Sequence, residues 1–389
     1  MKNTGLRTGG TILRDAVRGA PHLQARYRAF GALRLALAFM VMLQHFGSFA
    51  PAGLGDQLPR YMTGSIAVLV FFVLSGYVIA EAALNFYQQR PTAFAANRFL
   101  RIFPQYVFAV FFSFAVHAVL WHFTYLQIPE YFVSSDTTTD AFLTLSNFVW
   151  NLLFLLPVPS GANAPDYSFI PYAWAIRTEV LFYIFVAAAI GLGLFAKCLD
   201  FSKAIFLVGV VALVGYVAWR LGVGVPSSFR FGIYFSLGSA FYYAQGGSRF
   251  CLLITVVFLI ACLLDFRDYE LETQLRYEIR FGERLWGAQY VILTGSLALF
   301  AMCAFFSPLG RMRRVDKCLG DLSYPLYLNQ YSALIIFTSL SFGRGYLIFF
   351  SALATAVAFS VLADLICEPV IKPLRDKIRG TRLGATRPA

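Results

Sequence analysis

The chain has 389 residues, 59% of them hydrophobic and 17% aromatic, with only 13% charged. A soluble domain carries about 25% charged residues, so the composition excludes an ordinary soluble fold. The net charge of +12 comes from 32 Lys and Arg against 20 Asp and Glu.

Residues 1–28 are basic and hold no apolar core, which excludes a secretory signal. They read as a cytosolic tail suited to anionic lipid. Apolar stretches near the 17–25 residues that a bilayer-spanning helix needs then recur along the chain. They fall at about 30–50, 61–81, 104–124, 173–196, 204–221, 229–244, 250–265, 286–306, 322–343 and 345–367. This pattern predicts an all-α polytopic membrane protein with about ten transmembrane helices. One membrane domain covers 29–370, and a basic cytosolic tail covers 371–389. Lys and Arg concentrate in the loops that lie inside when the N-terminus is inside, as the positive-inside rule requires with both termini cytoplasmic. That asymmetry accounts for most of the net charge and makes a nucleic-acid partner unnecessary.

Ala141 to Leu156 is apolar but short. If it spanned, every later loop would change sides, and Arg311, Arg313, Arg314 and Lys317 would face out. It reads instead as a re-entrant or interfacial helix within a long outer segment, about 125–172. That segment has no Lys or Arg and carries Glu130, Asp136, Asp140 and Asp166. Pro157, Pro159, Pro165 and Pro171 make it irregular. A long ordered outer loop suggests a lid or an acceptor platform; the alternative is a mere connector. The six cysteines (Cys198, Cys251, Cys262, Cys303, Cys318 and Cys367) avoid the outer loops, so no external disulfide is expected. None has metal-site spacing and only four histidines exist, so no metal is expected.

The chemistry centres on the first span. Arg34 and His45 are eleven residues apart, which at about 100° per residue returns the chain to within about 20° of the same face, about 16 Å further along. Ionisable groups inside a membrane are costly and usually face an interior cavity, so the pair marks a polar path. Imidazole titrates near neutral pH and can serve as a general base; alternatively His45 is a buried histidine bonded to a neighbouring helix. His117 and His122 take that structural reading, and His22 is solvated. Arg98 and Arg101, in an inner loop reading NRFLRIFP, would be neighbours on a helix. With Arg34 they could grip a phosphorylated ligand, because guanidinium forks match phosphate; alone they read as topology anchors. Glu179 is expected near the depth of His45, where it could orient the imidazole or merely pair with Arg177. Ser75 lacks the strand–turn–helix context of a nucleophile elbow, and Gly76 permits close helix packing. Asp364 and Glu368, at the inner end of the last span, read as structural or interfacial.

Taken together, these motifs resemble acyltransferase family 3, the polytopic membrane acyltransferases. The resemblance spans nearly all of 27–375. It rests on Arg34-x₁₀-His45, on FFVLSGYVIA with Ser75, Gly76 and Tyr77, and on the Arg98/Arg101 pair. It continues with Trp174, Glu179, Phe182 and Tyr183, and with LGDLSYPLYL, which holds Gly320, Ser323, Tyr324 and Tyr327. It implies transfer of an acyl group, commonly acetyl, from cytosolic acyl-CoA to a hydroxyl of a surface glycan or its lipid-linked precursor, in the bacterial inner membrane. His45 and Glu179 would be catalytic, Arg34, Arg98 and Arg101 would hold CoA phosphates, and Trp174, Tyr183, Tyr327 and Gln330 would line the substrate. An acetyl-histidine intermediate is a second route. Many members carry His where this chain has Gln330, and Arg177 stands where small or polar residues are frequent. The soluble esterase-like domain that some relatives carry is not expected in this chain. A polysaccharide or small-molecule transporter is the alternative, since it too needs intramembrane charge, although no matching halves are visible.

Overall fold

A computed structural model of the chain describes residues 27–87, 89–123, 125–128, 143–156, 167–193, 201–247, 249–281 and 286–379. The expectations for residues 1–26 and 380–389, for Cys198, and for the parts of the outer segment that hold Glu130, Asp136, Asp140, Asp166 and three of its four prolines lie outside the described residues.

All regular structure among the described residues is helical. We number the main helices α1 (Phe30–His45), α2 (Thr63–Asn85), α3 (Pro91–His122), α4 (Leu145–Leu153), α5 (Ala173–Gly191), α6 (Phe201–Arg220), α7 (Gly232–Ala244), α8 (Arg249–Phe281), α9 (Trp286–Phe305), α10 (Gly310–Ser339) and α11 (Tyr346–Arg379). Among the described residues, 7 helical stretches are long and apolar enough to cross a membrane: those of α1 (through Phe49), α2, α3, α5, α8, α9 and α11. The other expected spans differ from these. The 13 residues of α7 rise only about 20 Å against a hydrocarbon core of about 30 Å. The first turns of α10 are charged, carrying Arg311, Arg313, Arg314, Asp316 and Lys317. In α6 the described apolar stretch is Gly209–Arg220.

Two boundaries move. α3 starts at Pro91, a residue that suits a first helical turn because its missing N–H needs no partner there. Arg98 and Arg101, expected in a loop, are therefore one turn apart inside a helix. α11 likewise runs on to Arg379, well into what reads as a tail. The apolar stretch in the outer segment forms α4, whose 9 residues rise about 13 Å and cannot cross a bilayer. Thr144 caps its N-terminus by accepting from the Asn147 N–H at 3.2 Å.

Glycines let the central helices touch backbone to backbone. Gly76 of α2 faces the Phe235 backbone and Gly238 of α7 faces the Val73 carbonyl, so a Cβ at either would collide with main chain. Ser239 donates to the Gly76 carbonyl at 3.0 Å across the same seam. A second seam joins α1 to α10, where a Cβ on Gly320 would stand 2.8 Å from the Gly31 Cα. Here Asp316 of α10 accepts the N–H groups of Gly31 (3.0 Å) and Ala32 (2.9 Å). The start of α1 has no cap from its own flank, so a carboxylate from another helix satisfies its orphan donors and its positive dipole end.

The buried ion pair of Arg230 and Asp265 (2.7 Å) ties α8 to the turn before α7. Tyr234 adds a hydroxyl to Asp265 at 2.9 Å, and the guanidinium lies 4.3 Å from the Trp219 ring centroid. Burial of both charges is tolerable because each is paired and hydrogen-bonded.

Candidate active site

α1 sits between α2 and α10 and carries Arg34 and His45 toward opposite ends of the bundle. The register of α1 against α2 follows from two contacts. The Gly64 N–H donates to Gln44 Oε1 at 2.7 Å near one end, and Phe30 packs edge-on against Tyr77 at 5.2 Å near the other. Ser75 is therefore level with Leu33 and Arg34. Ser75 donates to Glu179 Oε1 at 2.7 Å, and Tyr183, one turn along α5, donates to the same oxygen. Glu179 thus stands at the Arg34 level. The expected common depth of Glu179 and His45 is not what this geometry gives, because the two are separated by most of the roughly 16 Å between Arg34 and His45.

Ser75, Glu179 and Tyr183 line a cavity together with Arg34, Arg101 and Tyr327. A second cavity also touches Arg34 and Arg101, and is lined by Arg28, Arg313, Lys317 and Arg379 against the two carboxylates of Glu81 and Asp321. The two arginines are therefore the shared wall of a basic vestibule and a narrower inner chamber. Arg98 is buried, at 6% exposure, and packs over the rings of Phe94 (5.4 Å) and Tyr183 (5.5 Å). Among the described residues its Nε has no hydrogen-bond partner. Arg34, Arg98 and Arg101 repel one another, and the Glu179 carboxylate offsets part of that repulsion. Three clustered guanidiniums beside one carboxylate leave a surplus of positive charge, which an anionic ligand would neutralise. Arg28, Arg313, Lys317 and Arg379 are absent from the sequence-derived site. In the sequence they signal only topology, and the fold is what gathers them around one opening.

At the other end His45 stacks on Tyr172, with ring centroids 4.9 Å apart and planes 17° from parallel. Its Nδ1 lies 3.4 Å from Gln330 Oε1. Tyr327 bridges chamber and imidazole: its ring lines the chamber, packs edge-on to Tyr172 at 5.3 Å, and its hydroxyl donates to the Tyr172 carbonyl at 2.9 Å. The segment carrying Tyr172 is clamped from α4 and α3. Asn147 Oδ1 accepts the Tyr167 N–H (3.1 Å), Asn151 bonds the Tyr167 carbonyl and the Phe169 N–H, and Ser113 donates to the Phe169 carbonyl (2.8 Å). His117 is fully buried and bonds the Tyr167 hydroxyl at 2.8 Å, consistent with its structural reading. Trp174 does not line the chamber. It packs on Phe72 and Phe231 and is 38% exposed, while its neighbours Ala175 and Ile176 face the chamber. Arg177 lies 5.2 Å from the Phe154 ring centroid. Among the described residues no three His, Cys, Asp or Glu side chains gather as a metal would need.

A helical bundle with lipid-length apolar helices, a basic vestibule and an inner chamber is a polytopic membrane protein built around an internal site. The chain belongs to acyltransferase family 3: the family's acyltransferase-domain model matches residues 27–365, which makes it a membrane acyltransferase. No curated protein and no solved structure matches the chain.

Proposed function

We propose that this protein is an O-acyltransferase that moves an acyl group, acetyl in the first instance, from cytosolic acyl-CoA to a hydroxyl of a surface glycan or its lipid-linked precursor. In this reading ten helices cross a bacterial cytoplasmic membrane, both termini are cytoplasmic, and the basic vestibule opens to the cytosol. The observation that carries the reading is the sharing of Arg34 and Arg101 by vestibule and chamber, with His45 on the same stripe of α1 beyond them. Arg34, Arg98 and Arg101 hold the donor's phosphates through charge-assisted bonds. The pantetheine arm enters the chamber past Ser75, Tyr183 and Tyr327, and Glu179 balances the arginines. About 16 Å of helix separates the phosphate end from the imidazole, a span that an extended pantetheine arm suits.

The chemistry at His45 is general-base acyl transfer. The acceptor hydroxyl loses its proton to the imidazole as its oxygen attacks the thioester carbonyl carbon. The tetrahedral species collapses, the C–S bond breaks, and the CoA thiolate recovers the proton from the imidazolium. Gln330 and Tyr172 border this point, and Trp174 lies toward the acceptor side. The test uses vesicles containing the protein and acetyl-CoA labelled in the acetyl group. Label should appear in the cell-envelope glycan. His45→Ala should lower that transfer by roughly 10²–10⁴ without loss of protein from the membrane. Near-normal transfer by His45→Ala would remove the imidazole from the mechanism, and transport of glycan without label transfer would favour an exporter.

A further inference from the structure

We infer that Gln330 is the positioning residue of the imidazole: it fixes the His45 tautomer with the proton on Nδ1 and turns Nε2 toward the reaction. This rests on the acyl-transfer reading above and assigns within it a task that a neighbouring carboxylate would otherwise perform.

The argument starts from the amide. Gln330 is fully buried on α10, so water cannot complete its hydrogen bonds. Its Nε2 donates to the Tyr327 carbonyl at 3.0 Å, one turn back on the same helix. A carbonyl only accepts, so the amide has one orientation: Nε2 toward Tyr327, Oε1 toward His45. The reversed amide would set Oε1 against the Tyr327 oxygen. Oε1 then stands 3.4 Å from His45 Nδ1. An oxygen that only accepts requires a ring nitrogen that donates, so Nδ1 carries the proton. In the neutral imidazole the other nitrogen, Nε2, is then the basic one. A distance of 3.4 Å is long for such a bond, as is common for catalytic bonds before substrate is bound.

A second constraint completes the placement. Tyr172 stacks on the ring at 4.9 Å and sets its plane. Stacking alone leaves the ring free to turn over about its Cβ–Cγ bond, which would exchange Nδ1 with Cδ2 and Nε2 with Cε1. The Gln330 bond removes that freedom. Tyr327 links both constraints, since its carbonyl orients Gln330 and its hydroxyl holds the Tyr172 carbonyl at 2.9 Å. The four residues form one unit in which a neutral amide stands behind the base. Neutrality has a consequence: Gln330 steers the imidazole without adding negative charge to stabilise the imidazolium.

The test compares Gln330→Met with Gln330→Glu in the full-length protein, with labelled acetyl-CoA as donor and envelope vesicles as acceptor source. Met keeps the length and shape but cannot accept the Nδ1 proton in the same way. It should lower kcat roughly 10- to 100-fold, the scale of a reacting group displaced by about 1 Å, and leave KM for acetyl-CoA within about twofold of the parent. Glu keeps an acceptor oxygen at the same reach, and in its protonated form its second oxygen donates to the Tyr327 carbonyl as the amide does, so it should restore most of kcat. Thermal unfolding in detergent is measured for both. Parental kcat in Gln330→Met would overturn the assignment, as would equal losses in both variants that follow a fall in thermal stability. Persistent turnover by His45→Ala would instead defeat the underlying acyl-transfer reading.

Discussion

Ser75 donates its hydroxyl to Glu179 at 2.7 Å, joining α2 to α5 at the level of Arg34. Tyr183 donates to the same carboxylate oxygen. A serine with no base near it in sequence thereby gains a carboxylate 104 residues away. Glu179 in turn belongs to the arginine end of the chamber rather than to the imidazole. Glu179→Ala should strand two partly buried hydroxyls and leave the arginines less balanced. Each stranded group costs about 1–3 kcal/mol, so a lowered Tm in detergent is expected. Combined with His45→Ala, the activity losses should be additive, because sites more than about 7–10 Å apart with no shared partner rarely couple. Strong non-additivity would restore Glu179 to direct action on the imidazole.

Arg101 borders both the vestibule and the chamber. A charge-assisted hydrogen bond to phosphate is worth about 1.5–3 kcal/mol. Arg101→Gln should therefore raise KM for acetyl-CoA roughly 10- to 100-fold, with little change in acceptor dependence. Arg101→Lys should recover only part of that, since a point charge lacks the guanidinium fork. Donor titrations of initial rate in vesicles check both variants.

The α2–α7 seam makes a prediction independent of chemistry. A Cβ at Gly238 would stand 2.8 Å from the Tyr77 backbone nitrogen and would collide with the Val73 carbonyl, neither of which can rotate away. Gly238→Ala should destabilise the bundle by about 1–3 kcal/mol. Gly295 lies in α9, where an added methyl would meet none of the described residues within 4 Å, so Gly295→Ala should be neutral or slightly stabilising through helix propensity. Thermal unfolding of the pair separates close packing from a general cost of adding methyls.

Breaking the Arg230–Asp265 pair should be costly. Both side chains are nearly fully buried, at 4% and 1% exposure. Asp265→Ala should cost about 3–5 kcal/mol, because it removes the carboxylate that balances a buried guanidinium. Joint replacement with Arg230→Met and Asp265→Leu should recover most of that loss. Expression level and Tm of the two variants, measured against the parent, test it.

Much of the architecture is legible in the sequence because lipid imposes a length rule: a span needs a run of apolar residues whatever its neighbours do. The Arg34–His45 stripe is legible for the same kind of reason, since one helix sets both spacing and facing. Local signals fail where helices end. The polar NRFLRIFP segment looks like a loop, yet Pro91 starts a helix that carries Arg98 and Arg101 inward. Gly76 is legible as a packing glycine, but its contact, the Phe235 backbone, is not.

Sequence by itself determined what lies within one helix or follows from lipid: an all-helical membrane protein, a cation and an imidazole on one stripe, and the family that these motifs mark. Only the tertiary structure decided which groups from different helices share a level. Periodicity gives the direction of a side chain on its own helix, but the relative height of two helices depends on their packing register. That register, set by backbone contacts at glycines and by bonds such as Gly64 to Gln44, placed Glu179 with Ser75 and Arg34. Packing on α10 placed Gln330, rather than a carboxylate, beside His45.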